Sequence, residues 1–417
     1  MRTAGAIVNR MAEKRTNLLV ISDAIAGNTG LGRIARELVT RAHGNLKDMC
    51  RVGSAGYGSP GSCKFGDLPQ YNLEGMNEWV LPTLPDIIED FAGSDPVTIM
   101  YIWDLNRLAW LVEPRVCEAP LLAEKPHLRQ WAIKRPFKLW CYAPIDASGP
   151  NDKFTFPLMR AAFGVDRLIA YGPFGESVLR RSIGDEAADK KGLTNLPHGI
   201  DGSIFYERSR ALCRHMFRQI TGGHFINEDR EPIADDETLV GIVATNQSRK
   251  DWPLGLEAAA LLGRERKIRL WIHTDGWEKN WSIPSLLTDY GLVEKVIVSN
   301  GLIPDENMAQ AYSACDLTFG IGPEGWGFPL AESLACGTPV VTGSYAGAAD
   351  FVPKEMQVDP IGFRYEGSYA CKRPVYSPEH WALKAHEFAG IRTSLDPQYY
   401  WTNLWPRWEA WFREGFK

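Results

Sequence analysis

Apolar runs broken by glycine set the rhythm of this chain. NLLVIS (17–22) is a continuous apolar run, followed at once by DAIAGNTGLGRIARELVTRA, where glycines give way to helically spaced apolar residues. A buried strand, a Gly-rich turn and an amphipathic helix in succession open a doubly wound α/β domain. Further strands are predicted at PVTIMYIW (96–103), FKLWCYAPI (137–145) and RLIAYGP (167–173), the last followed by the helical FGESVLRRSI. A second series begins at TLVGIVATN (238–246), with WPLGLEAAALLGRE as its helix. It continues through IRLWIHTDG (268–276), KVIVSNG (295–301), DLTFGIG (316–322) and TPVVTGS (338–344). Strands alternating with helical segments predict parallel sheets with crossover helices.

The pattern therefore predicts an α/β chain of two Rossmann-like domains, 1–200 and 201–395, joined near TNLPHGID (194–201). A length of 417 residues exceeds what one hydrophobic core fills. The polar, acid-rich stretch 222–237 reads as a surface loop. The tail, 396–417, carries Trp401, Trp405, Trp408 and Trp411, a spacing that reads as the docking face of a terminal helix.

Composition narrows the picture only modestly. A net charge of −5 announces no global field for nucleic acid or an acidic membrane. It is the sum of about +2 in residues 1–200 (24 Lys+Arg, 22 Asp+Glu) and about −7 in the remainder (22 and 29). The eight cysteines form no C-x-x-C pair and several sit in apolar runs, as free thiols in a reducing compartment do. The first 17 residues lack the apolar core of a secretory signal, and no run of 18 apolar residues exists to span a bilayer. A soluble, cytoplasmic protein is expected.

The richest chemistry lies in DLTFGIGPEGWGFPLAESLACGTPVVTG. A strand ends in the loop GPEGWG and a helix starts at Phe328-Pro329, where proline costs no hydrogen bond. Free N–H groups at that helix start suit a diphosphate. Glu324 and Glu332 flank the same point: one is placed to accept from sugar hydroxyls, the other from vicinal ribose hydroxyls. Two nearby carboxylates could also serve a glycosidase, but a helix start and a basic pair suit a phosphate-bearing leaving group better.

This E-x7-E arrangement, followed by ACGTPVV, resembles the signature of retaining GT-B glycosyltransferases of glycosyltransferase family 4. The resemblance implies two Rossmann-like domains facing across a cleft, with the terminal helix crossing back onto the first. It implies a nucleoside diphosphate sugar as donor, UDP- or GDP-linked, with no metal or other cofactor. It gives Glu324 the donor sugar and Glu332 the ribose, with Gly325, Trp326, Gly327, Phe328 and Leu330 forming the rest of the donor loop. TGLGRIARELV, with Gly30 and Gly32, resembles the family's first loop. PHGID (197–201) with Phe205 resembles its H-G-[VI]-D…F segment and brings in His198. Lys250 keeps the position of the family's lysine beside the diphosphate. The position of its arginine holds Thr245, and an extra Arg249 sits beside Lys250. Either Arg249 substitutes or neutralisation is weaker.

The acceptor side is less clearly written. Many relatives place a His beside an Asp after a mid-domain strand, where this chain has Trp103-Asp104. Asp104, and Asp146 at another strand end, are acceptor-side candidates or simply surface aspartates. KPHLRQWAIKRPFK (125–138) holds Lys125, Arg129, Lys134, Arg135 and Lys138 without an acid, interleaved with Trp131. Two readings stand: a solvated helix edge anchored by Trp131, or a surface for an anionic acceptor such as a modified base in DNA or a lipid-linked glycan. Other functions open to such a chain are nucleotide-sugar epimerisation, non-catalytic binding of carbohydrate or nucleic acid, and NAD-dependent oxidoreduction. The last lacks a complete dinucleotide fingerprint.

Overall fold

A computed structural model describes residues 16–417 of the protein apart from 28, 59–64, 78 and 226–232. Most of the N-terminal segment and part of the acid-rich loop read above therefore lie outside the described residues.

The first sheet contains β1 (Thr16–Asp23), β2 (Cys50–Tyr57), β3 (Gln70–Leu73), β4 (Val97–Tyr101), β5 (Lys138–Ala143), β6 (Arg167–Ala170) and β7 (Thr194–Asn195), in the order β3-β2-β1-β4-β5-β6-β7. The continuous apolar run of β1 is explained by its place between β2 and β4, both parallel to it, with Val20 opposite Ser54 and Met100. A strand paired on both edges and covered on both faces has no polar side to show. The helix Gly30–Asn45 follows, capped by Thr29, whose hydroxyl accepts the Gly32 N–H. β2 was not predicted. Its sequence, CRVGSAGY, buries Val52 and then the small residues Gly53, Ser54, Ala55 and Gly56.

The second sheet contains β8 (His224–Phe225), β9 (Thr238–Val243), β10 (Ile268–Thr274), β11 (Val296–Asn300), β12 (Leu317–Gly320), β13 (Val340–Gly343) and β14 (Gln357–Val358). Its order is β14-β13-β12-β9-β10-β11-β8, with the β8–β11 pairing antiparallel. Phe319 of β12 lies opposite Ile242 and Val341. Its core is built from residues such as Trp252, Leu256, Leu270, Phe319 and Trp381, all buried. A two-stranded antiparallel hairpin, β15 (Gly362–Glu366) and β16 (Cys371–Val375), follows β14.

Contacts group the chain into two compact units. One holds residues 1–102, 113–140 and 409–417, and the other holds 103–112 and 141–408. The terminal helix Trp401–Gly415 contributes to both. In the second unit the Trp408 indole donates to the Pro197 carbonyl at 2.9 Å. In the first, Trp411 and Phe416 lie 4.9 Å from the Trp140 ring, and Arg413 pairs with Asp48. The aromatic spacing read as a docking face is buried at Trp401, Trp408 and Trp411. Among the described residues no helix is long and apolar enough to cross a membrane.

Candidate functional site

β12 delivers the chain into the loop 321–327, and the helix Phe328–Ala335 starts where the sequence places it. Gly327, immediately before the helix, has φ of +108°, a conformation that costs glycine nothing and strains any side chain. The loop is held from below by the short turn Gly347–Asp350. The Gly347 N–H donates to the Glu324 carbonyl at 2.8 Å, and a Cβ there would lie 1.9 Å from the Gly325 carbonyl oxygen. Backbone approach that close admits only glycine.

Three charges converge on this loop. Lys250 pairs directly with one carboxylate oxygen of Glu324, and Arg249 reaches the other at 3.1 Å. The same Arg249 guanidinium donates to the Pro323 carbonyl at 2.8 Å and stands 3.6 Å from Asp146. Lys250 is buried, with its side chain 6% exposed against 21% for Glu324. Burial, and after it the Arg249 charge, pushes the Lys250 ammonium well below the usual lysine range. The Asp146 carboxylate works in the opposite sense. Such a network is costly to break, because removing one partner leaves a buried charge uncompensated. Thr245 is exposed and carries no charge, so Arg249 and Lys250 are the cations at this point of the loop.

The other residues expected on the donor side divide into two groups. Trp326, Leu330, Glu332 and His198 are buried. The Trp326 and Phe328 rings lie 4.2 and 4.7 Å from the His198 ring, so the histidine forms part of the loop's seat. The Tyr142 hydroxyl donates to the Leu196 carbonyl at 2.7 Å and lies 3.1 Å from His198 Nδ1. With its proton spent on the carbonyl, the phenol oxygen accepts from Nδ1–H, which fixes the tautomer. Gly325, Gly327 and Phe328 are half-buried. Gly30 and Gly32 start the helix after β1 and belong to the other compact unit.

Of the acceptor-side candidates, the structure brings Asp146 to the charge cluster and leaves Asp104 exposed beside Arg107 at 3.6 Å. The basic stretch forms the helix Pro126–Lys134, whose buried face is Leu128 and Ala132. Arg129 donates to the Pro114 carbonyl, and Trp131 packs on Phe137 with ring centres 5.2 Å apart. Lys125 and Lys134 are exposed, and Arg135 ends the helix with φ of +46°.

One participant was missed. Arg373 of β16 places Nη1 3.5 Å from Asp146 and Nε 3.0 Å from Glu366 of β15. The signal was present: GFRYE and CKRPV alternate about a glycine-containing turn, as hairpin strands do.

Residues 225–357 match the family model described as "Glycosyl transferases group 1". That segment contains Arg249, Lys250, Glu324 and Glu332, and ends before the hairpin. No curated protein matches the chain in sequence. Among solved structures, sucrose-phosphate synthase from Thermosynechococcus elongatus is similar with a TM-score of 0.64 and 16% identity, over 96% of this chain and 99% of that one. The catalytic domain of starch synthase IV from Arabidopsis thaliana, bound to ADP and acarbose, is similar with a TM-score of 0.57 and 11% identity, over 97% and 100%. HepE from Anabaena, in complex with UDP and glucose, is similar with a TM-score of 0.52 and 15% identity, over 79% and 82%. The likenesses give the fold, GT-B, and the family match gives the class, glycosyltransferase.

Proposed function

We propose that the protein transfers a glycosyl group, with retention, from a nucleoside diphosphate sugar to an acceptor hydroxyl. The observation that carries this reading is the pairing of Lys250 and Arg249 with Glu324 at the start of the helix Phe328–Ala335. Without donor, the carboxylate serves as counter-ion to both cations. An arriving diphosphate takes over that part, and Glu324 is released to accept from the donor sugar's hydroxyls. Lys250 and Arg249 then oppose the charge that develops as the bond from the anomeric carbon to the phosphate oxygen breaks. The acceptor oxygen bonds to that carbon on the same face, and its proton passes to the departing phosphate oxygen. These two cations supply what a metal would otherwise supply, so the reaction proceeds without one. Glu332, further along the same helix, holds the ribose.

HepE, complexed with UDP and glucose, and starch synthase IV, bound to ADP, support a nucleotide-linked donor here. They leave the base to experiment, and UDP and GDP head the screen. Glu324→Gln preserves shape and removes the charge. It should lower transfer by roughly a hundredfold or more while the nucleotide still raises Tm. Undiminished turnover in that variant would sink the assignment.

A further inference from the structure

The hairpin β15–β16 has two unlike faces. Phe363 and Tyr365 share one with Pro374 and Lys372, which stand opposite them. Arg364 and Glu366 share the other with Arg373 and Cys371. On this second face Arg364 and Arg373 are directly opposed. Like charges at such a pair repel and weaken the sheet. Glu366 takes the Nε of Arg373, while the buried Nη1 has no hydrogen-bond acceptor and only the longer ion pair to Asp146 at 3.5 Å. Arg364 makes no hydrogen bond or ion pair among the described residues.

These guanidiniums line a small pocket together with Arg249, Ser248, Pro323 and Tyr376. The lining also holds two carboxylates, and both are engaged. Glu366 is paired with Arg373, and Asp251 caps the helix Trp252–Leu262 by accepting the Leu254 N–H. Asp146 faces Arg249 and Arg373 from outside the lining. Three guanidiniums carry fifteen N–H donors in planar forks. Arg364, exposed and near the Asp251 charge, makes no hydrogen bond or ion pair among the described residues, and Arg373 Nη1 has only the 3.5 Å ion pair to Asp146. Both guanidiniums therefore keep donors that could receive a phosphate or carboxylate. Arg249 belongs to this pocket and to the Glu324 pair alike, so an anion held here lies one side chain away from the proposed donor sugar.

We propose that this pocket receives an anionic group, a phosphate or a carboxylate, carried by the acceptor sugar. The proposal rests on the donor reading given above. The hairpin then serves as a specificity element: it selects charged acceptors and takes no part in bond breaking.

The test is calorimetric titration of the full chain, saturated with whichever nucleoside diphosphate most raises its Tm. Glucose 6-phosphate, glucuronate and glucose are added separately. One of the two anionic sugars should bind, which identifies the anion, and glucose should bind at least about tenfold more weakly. Arg364→Gln should weaken the anionic sugar by about tenfold while its nucleotide affinity stays at the wild-type value. Equal binding of glucose, full binding by Arg364→Gln, or binding of neither anionic sugar overturns the proposal. If no nucleotide raises Tm, the donor reading fails on its own. The titrations are then run without nucleotide, where the wild-type and Arg364→Gln difference still judges the pocket.

Discussion

The loop 321–327 and the hairpin β15–β16 contribute charges to the same cluster, yet they are built on opposite plans. The loop is fixed by backbone: Gly327 at positive φ, Gly347 pressed against the Gly325 carbonyl, and the buried Trp326 beneath. The hairpin is held through Lys372 and Arg373 of one strand. Lys372 donates from its backbone to the Ser148 carbonyl at 2.7 Å and from its side chain to Asp152 at 2.8 Å, while Phe363 and Tyr365 stay exposed. On the two proposals above, the chemistry that every donor demands would sit on rigid backbone, and a preference among acceptors on a surface element that tolerates change. The loop lies inside the family match and the hairpin outside it.

The largest effect expected is at Lys250. Lys250→Met should lower kcat/KM for the donor by roughly a hundredfold to a thousandfold and cost less stability than the loss of a fully buried pair, because Glu324, 21% exposed, keeps Arg249 at 3.1 Å. Lys250→Arg separates the two losses. In the wild type, activity should decline as pH rises through the depressed lysine range, since the ammonium gives up its proton there. Arginine keeps its charge, so that variant's alkaline limb should move to higher pH. Identical pH profiles would remove Lys250 from the donor site.

An intermediate effect is expected at Asp350, in the turn beneath the loop. Its carboxylate accepts the Phe174 N–H at 3.1 Å, and burial raises its pKa from 3.8 to about 6. The folded chain therefore holds this proton more tightly than the unfolded chain. Stability falls as pH rises from about 4 to about 6, and the penalty is complete above that window, of order 2–3 kcal/mol. Asp350→Asn still accepts the N–H but carries no charge. It should be more stable than wild type at pH 7 and equal to it near pH 4 in urea unfolding. A constant difference across that range would contradict the assignment.

The smallest effect is expected in the hairpin. Lys372→Ala should cost no more than about 1 kcal/mol, as partly exposed pairs do, because the Ser148 bond uses backbone. A cost several times larger, measured by thermal unfolding, would show the hairpin to be as integral as the loop and would erase the contrast.

The contrast also explains what could be read without coordinates. The loop 321–327 was legible because its determinants are local: an apolar run, glycines and a proline within a few positions of one another. Arg249 was legible as a spare cation beside Lys250, but its attachment to Pro323 and Glu324 was not. Asp146 was read as a strand-end aspartate of either kind, and only the fold brings it to Arg249 and Arg373. Lys372 meets Asp152 across 220 positions, a separation that no local pattern encodes. β2 escaped for another reason. In a parallel sheet covered on both faces, small residues serve as well as branched ones, and the usual alternation is lost.

The terminal helix has a consequence for anyone who wishes to take this protein apart. Its residues up to Trp408 count with one compact unit and those from Glu409 with the other, and the chain passes between units at 102, 112 and 140 as well. No single cut yields two complete halves. A chimera that exchanges one unit between such chains would have to carry residues 409–417 along with the other segments of that unit. The hairpin lies within one unit, but its exchange would have to keep the partners of Lys372 and Arg373, namely Ser148, Asp152 and Asp146.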